Sequence, residues 1–328
     1  MTYSEAKKQF TLLFNHEMSD SQMREFLVNM KLDEHTSVEA IAVAAEVMRS
    51  NAIALPICDE IRQKAIDVVG TGGDKIGSFN ISSTVALLVA GAGAYVAKHG
   101  SRSVTSKSGS ADMFEKLGVR LDLSMNNSAK LLEETGFTFM FAQNHHPAMK
   151  FIMPVRKSID EKTIFNILGP LTNPAGVKKS LLGVFDKTFV PKMVEALKLN
   201  GAKSTMVVSS KEGMDEISIS DISYASRLLE GKVSEFEIDP QIYGIKRVPL
   251  KAIVGGDASF NAGILHNIFS SKATDAQRDI VLINAASALM VDGMARDIQD
   301  GLEIAREVIK TGKAKEKLMK IIEISNKL

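Results

Sequence analysis

From residue 65 onward the chain alternates short β-branched runs with helical patterns, and glycine-rich turns stand between them. A sequence of that kind closes best into an α/β fold, a mostly parallel central sheet buried between flanking helices. Ile66-Asp67-Val68-Val69 reads as a strand and runs at once into Gly70-Thr71-Gly72-Gly73-Asp74. Residues 82–92 are apolar on nearly every side, as a helix buried against a sheet would be. Further strands are expected at 94–97, 137–141 and 205–208, and helices at 111–117, 191–199, 277–294 and 297–311, before a short amphipathic tail. Ahead of residue 65 the pattern is helical only. Met23, Phe26, Leu27 and Met30 make one apolar stripe, and Val38, Ile41, Ala42, Ala45 and Met48 make another. Thr36 and Glu39 have the spacing of a capping box ahead of the second stripe. Residues 1–65 are therefore expected to form a small all-α domain.

Charge narrows the function classes. Lys and Arg together number 40 against 39 Asp and Glu, so a formal charge of +1 offers no broad attraction to nucleic acid or to anionic lipid. Any anion must be bound locally. The single Cys58 cannot form an internal disulfide, the first ten residues lack the apolar stretch of a secretory signal, and the longest apolar run, 85–97, is broken by Gly91 and Gly93. These features give the expectation of a cytoplasmic protein.

Four segments carry chemistry. The 70–74 loop leaves a strand and enters a helix that Asn80, Ser82 and Ser83 introduce, so glycine-shaped backbone N–H groups and a helix start can converge on a phosphate. Lys98-His99-Gly100-Ser101-Arg102-Ser103, continued by Ser106-Lys107-Ser108-Gly109-Ser110-Ala111-Asp112, is a second strand-to-helix loop with lysines for charge and serines for close backbone approach. Two such loops in one sheet suit a ligand with two phosphorylated ends. Asp215-Glu216 gives adjacent carboxylates on a loop, which suits Mg²⁺ bridging to substrate phosphates. His145-His146 with Arg156 offers imidazole surfaces and a guanidinium able to grip a carboxylate in a bidentate way. The histidine spacing is wrong for a zinc site, and no cysteine is near.

Taken in order, GTGGD at 70–74, NISS at 80–83, KHGSRSVTSKSGSAD at 98–112, HHPAMK at 145–150, PVRK at 154–157, TIFNILGPLTNP at 163–174 and MDEIS at 214–218 resemble the anthranilate phosphoribosyltransferase family of tryptophan biosynthesis. The resemblance implies a helical domain of 1–65 joined with a hinge and helix segment at about 157–178, and an α/β phosphoribosyl-binding domain of 66–156 and 179–328. It implies a homodimer formed through the helical part, and transfer of a phosphoribosyl group to the amine of anthranilate. Phosphoribosyl pyrophosphate would be held by Gly70, Thr71, Gly72, Gly73, Asp74, Ser78, Asn80, Ser82, Ser83, Lys98, Lys107 and Ser110. Anthranilate would meet Gly70, His99, Ser101, His146, Arg156 and Gly169. Magnesium would be held by Ser82, Asp215 and Glu216, and no general base is implied. Two departures stand out: Ser101 occupies a position where the family usually has Asn, and Gln143-Asn144 replaces a proline-containing stretch. A pyrimidine nucleoside phosphorylase, which shares the second loop, and a non-catalytic nucleic-acid-binding relative using Lys150, Arg156, Lys157 and Lys162 are the competing readings.

Overall fold

The computed structural model describes residues 3–103 and 107–328, so Ser106 of the second loop lies outside the described residues. Among the described residues seven strands make one sheet: β1 (Ile66–Gly70), β2 (Val96–Gly100), β3 (Phe137–Phe141), β4 (Lys179–Gly183), β5 (Ser204–Ser210), β6 (Ser223–Leu229) and β7 (Lys232–Ile238). Their order is β3-β2-β1-β4-β5-β6-β7; the first five run parallel, β6 pairs antiparallel with β5, and β7 antiparallel with β6. The order reverses beside β1, between β2 and β4, which is where open parallel sheets leave a crevice beyond their strand ends.

The central strands are buried almost throughout, and alternate side chains fall into different clusters. Val68, Leu181, Met206 and Val208 face the helices Ile81–Ala92, Asp275–Asp292 and Ile298–Lys310, while Val69, Leu182 and Val207 face the helices Val190–Leu199 and Val38–Ser50. Apolar residues in both registers are what a sheet covered on both sides requires. The amino-terminal helices Tyr3–Phe14, Asp20–Asn29 and Val38–Ser50 contribute to the second of these clusters, together with Ile164 and Phe165. A single antiparallel bridge, Lys31↔Thr163, stitches them to the segment after residue 160; Leu32 N–H donates to the Lys162 carbonyl at 2.9 Å and Ile164 N–H to that of Met30 at 2.9 Å.

The strands at 66–69, 137–141 and 205–208 lie where the residue pattern puts them, and the helices do so to within a few residues. Three differences have physical causes. The cap of Val38–Ser50 is Ser37, not Thr36: the Ser37 hydroxyl accepts from Ala40 N–H, while the Thr36 hydroxyl accepts from Asp33 N–H. The strand expected at 94–97 begins at Val96, because Gly93 ends the preceding helix in the left-handed region and two further residues are spent turning. Strands β4, β6 and β7 were not anticipated. Lys179-Ser180-Leu181-Leu182-Gly183 contains no β-branched residue, and the β6–β7 turn, Glu230-Gly231, reaches the positive φ values of a two-residue hairpin (50° and 77°) with a glutamate where Asn or Asp is the usual signal. No helix among the described residues is long and apolar enough to cross a membrane.

Gly183 closes β4 directly against the acidic loop: a Cβ there would lie 1.6 Å from the Asp215 carbonyl oxygen. Gly183→Ala is therefore expected to push the two segments apart at a cost of about 1–3 kcal/mol, read as a lower urea midpoint at unchanged slope. An unchanged midpoint would show that the loop yields freely.

Candidate functional site

The site is assembled at the carboxyl ends of the parallel strands. The turn after β1 takes positive φ at Gly72 (68°) and Gly73 (77°), which bends its backbone back across the sheet edge. Thr71 N–H donates to the Gly183 carbonyl at 3.0 Å, and Gly72 N–H donates to Asp215 Oδ2 at 2.6 Å. At the start of the helix Ile81–Ala92, Ser82 N–H donates to Glu216 Oε1 at 3.1 Å. From β2, Lys98 Nζ donates to the Val68 carbonyl at 2.5 Å and reaches Ser82 Oγ at 3.4 Å. Thr71, Ser82, Lys98, Asp215 and Glu216 thus meet in one crevice.

Electrostatically this crevice is short of positive charge. Burial, followed by the neighbouring Asp74 carboxylate, pushes the Asp215 carboxyl up to about 7. Burial and Asp215 push Glu216 well above the ordinary range, while Lys98 pulls it the other way. Lys98 is itself driven down by burial, although Asp67, Glu216 and Asp215 all oppose the shift. Desolvation outweighs attraction for each group, so one ammonium does not neutralise the acids around it. No Lys or Arg among the described residues forms an ion pair with Asp215 or Glu216. An all-oxygen donor set whose carboxyls resist ionisation for want of counter-charge fits Mg²⁺ completed by water and substrate oxygens. It does not fit a closed all-protein cage, and among the described residues no group of three or more His, Cys, Asp or Glu side chains could form one.

The second loop lies beside the first. Asn80 Nδ2 donates to the Ser108 carbonyl at 3.2 Å, and Ser108 Oγ donates to Asn80 Oδ1 at 3.1 Å. Ser110 Oγ donates to the Ser101 carbonyl at 3.2 Å, beside Gly100. Asp112 pins both ends of the loop, accepting from Ser103 N–H at 3.1 Å and Gly109 N–H at 2.8 Å, and Arg102 braces it. Ser78 forms an isolated bridge with Val254, Asp74 accepts from Ile76 N–H at 3.1 Å, and Lys107 is exposed.

On the other flank, His99 Nδ1 lies 3.2 Å from the Gly169 carbonyl, which can only accept; the ring therefore carries its proton on Nδ1. His99 Nε2 and His146 Nε2 are buried and have no partner among the described residues, and the two rings stand 5.2 Å apart. Burial holds His99 down to about 3 and His146 to about 4, so both are neutral near pH 7. His145 is separate: its Nδ1 bonds the Ile53 carbonyl at 2.7 Å. Arg156 sits near the end of the helix Met149–Lys157, half-buried, with the Phe165 ring 5.9 Å away and no carboxylate partner among the described residues.

Sequence reasoning missed three contributors. Asp67 is 1% exposed; it accepts from Asn173 Nδ2 at 2.7 Å and from His99 N–H at 3.2 Å, and burial raises it to about 6. A charged residue inside an otherwise apolar strand was the available signal. Lys162 donates to the Gly73 carbonyl at 3.2 Å and lies 3.2 Å from the Phe185 ring centre, but it was grouped with a surface basic patch. Asn261 reaches Asn80 from 181 residues away, a separation at which nothing local betrays it.

The profile of the family described as "Glycosyl transferase family, a/b domain" matches residues 62–315. Anthranilate phosphoribosyltransferase of Xanthobacter autotrophicus is 43% identical over the full length of this chain and 94% of its own. The crystal structure of the Thermus thermophilus anthranilate phosphoribosyltransferase superposes with a TM-score of 0.92 at 34% identity, covering 99% of this chain and 96% of that one. The Saccharomyces cerevisiae enzyme in complex with PRPP and Mg gives a TM-score of 0.87 at 26% identity, covering 99% and 93%.

Raised from 3.8 to about 7, the Asp215 carboxyl holds its proton more tightly in the folded chain than in the unfolded one, so its contribution to stability is complete below about 3.8 and is lost as pH rises through about 7. Asp215→Asn, neutral throughout, is expected to melt above the wild-type protein at about pH 8 without ligands, with the gap narrowing toward about pH 5. A variant that melts lower at the alkaline end contradicts the want of counter-charge.

Proposed function

The chain belongs to the anthranilate phosphoribosyltransferase family, and from that membership and the crevice geometry we propose how its own residues carry the reaction. It transfers the phosphoribosyl group of phosphoribosyl pyrophosphate to the amine of anthranilate and releases pyrophosphate. The observation that carries the assignment of roles is the meeting of the Gly72 amide, Ser82, Lys98, Asp215 and Glu216 at one set of strand ends.

In this reading the glycine turn at 70–74, with Asn80, Ser83, Lys98 and Ser110, holds the phosphorylated sugar through backbone amides, hydroxyls and one ammonium. Asp215, Glu216 and the Ser82 hydroxyl would hold Mg²⁺, which would supply counter-charge to the leaving pyrophosphate. Anthranilate lies on the opposite flank. Arg156, with no acidic partner among the described residues, grips its carboxylate, and the neutral His99 ring offers Nε2 as an acceptor for an N–H of the amine. Neutral histidines suit this task, because an imidazolium would donate to the amine lone pair that must attack C1 of the ribose. An aromatic amine is uncharged near pH 7, so positioning and electrostatics are the main tools and no general base is needed. Ser101 leaves the aromatic acceptor one amide contact fewer than the family's usual Asn would.

The helical part, taken as 1–65 with the hinge and helix segment at about 157–178, would then close over the α/β part, 66–156 and 179–328. The Lys31↔Thr163 bridge and the Lys162 to Gly73 hydrogen bond support that coupling, since they join both parts through one segment. Exposed Tyr3, Val28 and Ile53 on the helical part support a homodimer formed there, and near-neutral charge with a single cysteine supports a cytoplasmic setting.

Fading of anthranilate fluorescence, dependent on both phosphoribosyl pyrophosphate and Mg²⁺, tests the function directly; fading without the sugar donor would refute it. Arg156→Met is expected to raise KM for anthranilate by about tenfold or more and to leave KM for phosphoribosyl pyrophosphate within about twofold. Equal rises in both constants would remove Arg156 from the acceptor site.

A further inference from the structure

Asn80 stands at the N-cap of the helix Ile81–Ala92, a position where an asparagine side chain ordinarily accepts from the second or third helical N–H. It does not do so here. Its backbone is off the usual extended geometry (φ −69°, ψ 71°), and no side-chain cap bond forms. The side chain is held away by two neighbours: its Oδ1 accepts from Asn261 Nδ2 at 2.8 Å and from Ser108 Oγ at 3.1 Å, while its Nδ2 donates to the Ser108 carbonyl at 3.2 Å.

Asn261 has its own orientation fixed. It is 2% exposed, on the first turn of the helix Ala258–Phe269, and its Oδ1 accepts from Gly256 N–H at 2.8 Å, so the other end of the amide must be the donor. The segment bearing it is docked on the first phosphate loop by the Ser78↔Val254 bridge, by Gly255 N–H to the Gly77 carbonyl at 2.9 Å, and by Phe79 N–H to the Ile253 carbonyl at 3.2 Å. Gly255 packs so closely that a Cβ would lie 2.6 Å from Phe79 Cα.

The consequence falls on the helix start. Ser82 N–H is spent on Glu216 and Thr84 N–H on the Asn80 carbonyl, but Ser83 N–H, a natural recipient of the missing cap, has no partner among the described residues. We propose that Asn261 is a positioning residue for the sugar donor: by drawing the Asn80 side chain off its cap together with Ser108, it leaves the buried Ser83 amide and the second Asn80 N–H unpaired among the described residues, to be met by a phosphate oxygen. A relay of three oriented amides, from Gly256 through Asn261 to Asn80, sets which face of Asn80 the ligand meets. With Asn261 removed, Asn80 Oδ1 keeps only its contact with Ser108, and the weakened restraint lets it fold back onto Ser83 N–H, where it closes the anion site and presents an acceptor to an anion.

This inference rests on the loops binding phosphoribosyl pyrophosphate, and wild-type kinetics with that donor test the underlying reading first. In Asn261→Ala, KM for phosphoribosyl pyrophosphate is expected to rise by about tenfold while KM for anthranilate stays within about twofold. The isosteric Asn261→Asp still accepts from Gly256 but donates nothing to Asn80, so it should shift the same constant in the same direction. Because KM does not depend on the fraction of chains that are active, a partly unfolded preparation still gives the answer. The deciding arm is Asn80→Ala: if Asn261 acts through Asn80, adding Asn261→Ala to that variant changes KM for the donor no further. Multiplying effects in the double variant, or parallel rises in both KM values, would overturn the proposal in favour of a general structural role. If wild type turns over and neither Asn261 variant shifts the donor KM, the inference fails and the function stands.

Discussion

Everything in the crevice is organised around one buried ammonium. Lys98 comes up from β2, donates to the backbone of β1 and reaches the first turn of the following helix, and it is surrounded by Asp67, Asp215 and Glu216. Three acids cannot be satisfied by a single cation in a place where water is scarce. The fold therefore carries an unresolved electrostatic demand at its strand ends, and the packing around it is what stops that demand from being relieved by collapse. Gly183 against the Asp215 backbone, and the register that ends β1 and β4 together at Gly70 and Gly183, keep the acids at a fixed distance from the glycine turn. A site that is uncomfortable alone is well placed to receive a polyanion and its metal together.

The two faces of the sheet divide the labour. One face rests on a helical layer that includes Ile81–Ala92, the helix whose start belongs to the proposed phosphate cradle. The other shares its apolar cluster with the amino-terminal helices and with Ile164 and Phe165, next to Arg156. Under the proposed roles, sugar donor and acceptor would be governed by opposite layers. Lys162 belongs by its backbone to the second layer, yet its ammonium rests on the Gly73 carbonyl of the first loop. Motion of the helical part relative to the sheet would pass through that lysine.

What could be read from the residues was what is local. GTGGD after a β-branched run, a serine-rich strand-to-helix loop and an adjacent acid pair each declare their chemistry within a dozen positions, and the fold brings them together. The paired strands β6 and β7 escaped notice because their turn is Glu230-Gly231, with the glutamate itself at positive φ, a strain that pattern reading does not expect. Thr36 has the capping-box spacing with Glu39, and only the backbone geometry, with Ser37 accepting from Ala40 N–H, places the cap one residue later. Asp67, Asn173 and Asn261 were invisible as site residues for another reason. Each acts by orienting a neighbour that lies far away in sequence, and such partnerships exist only once the sheet has formed.

The hairpin has a last implication, for life in a crowded solution. By the strand order, β7 is an outer strand whose far side has no neighbour among the described residues, and such an edge can template the addition of another chain's strand. Here Lys232, Glu235 and Glu237 are spread along it, all exposed. A second copy approaching in antiparallel fashion would have to strip water from those charges before a single ladder bond formed. The β7 margin thus works as a guard against fibrous growth, and it leaves ordered self-association, where it occurs, to surfaces other than this edge.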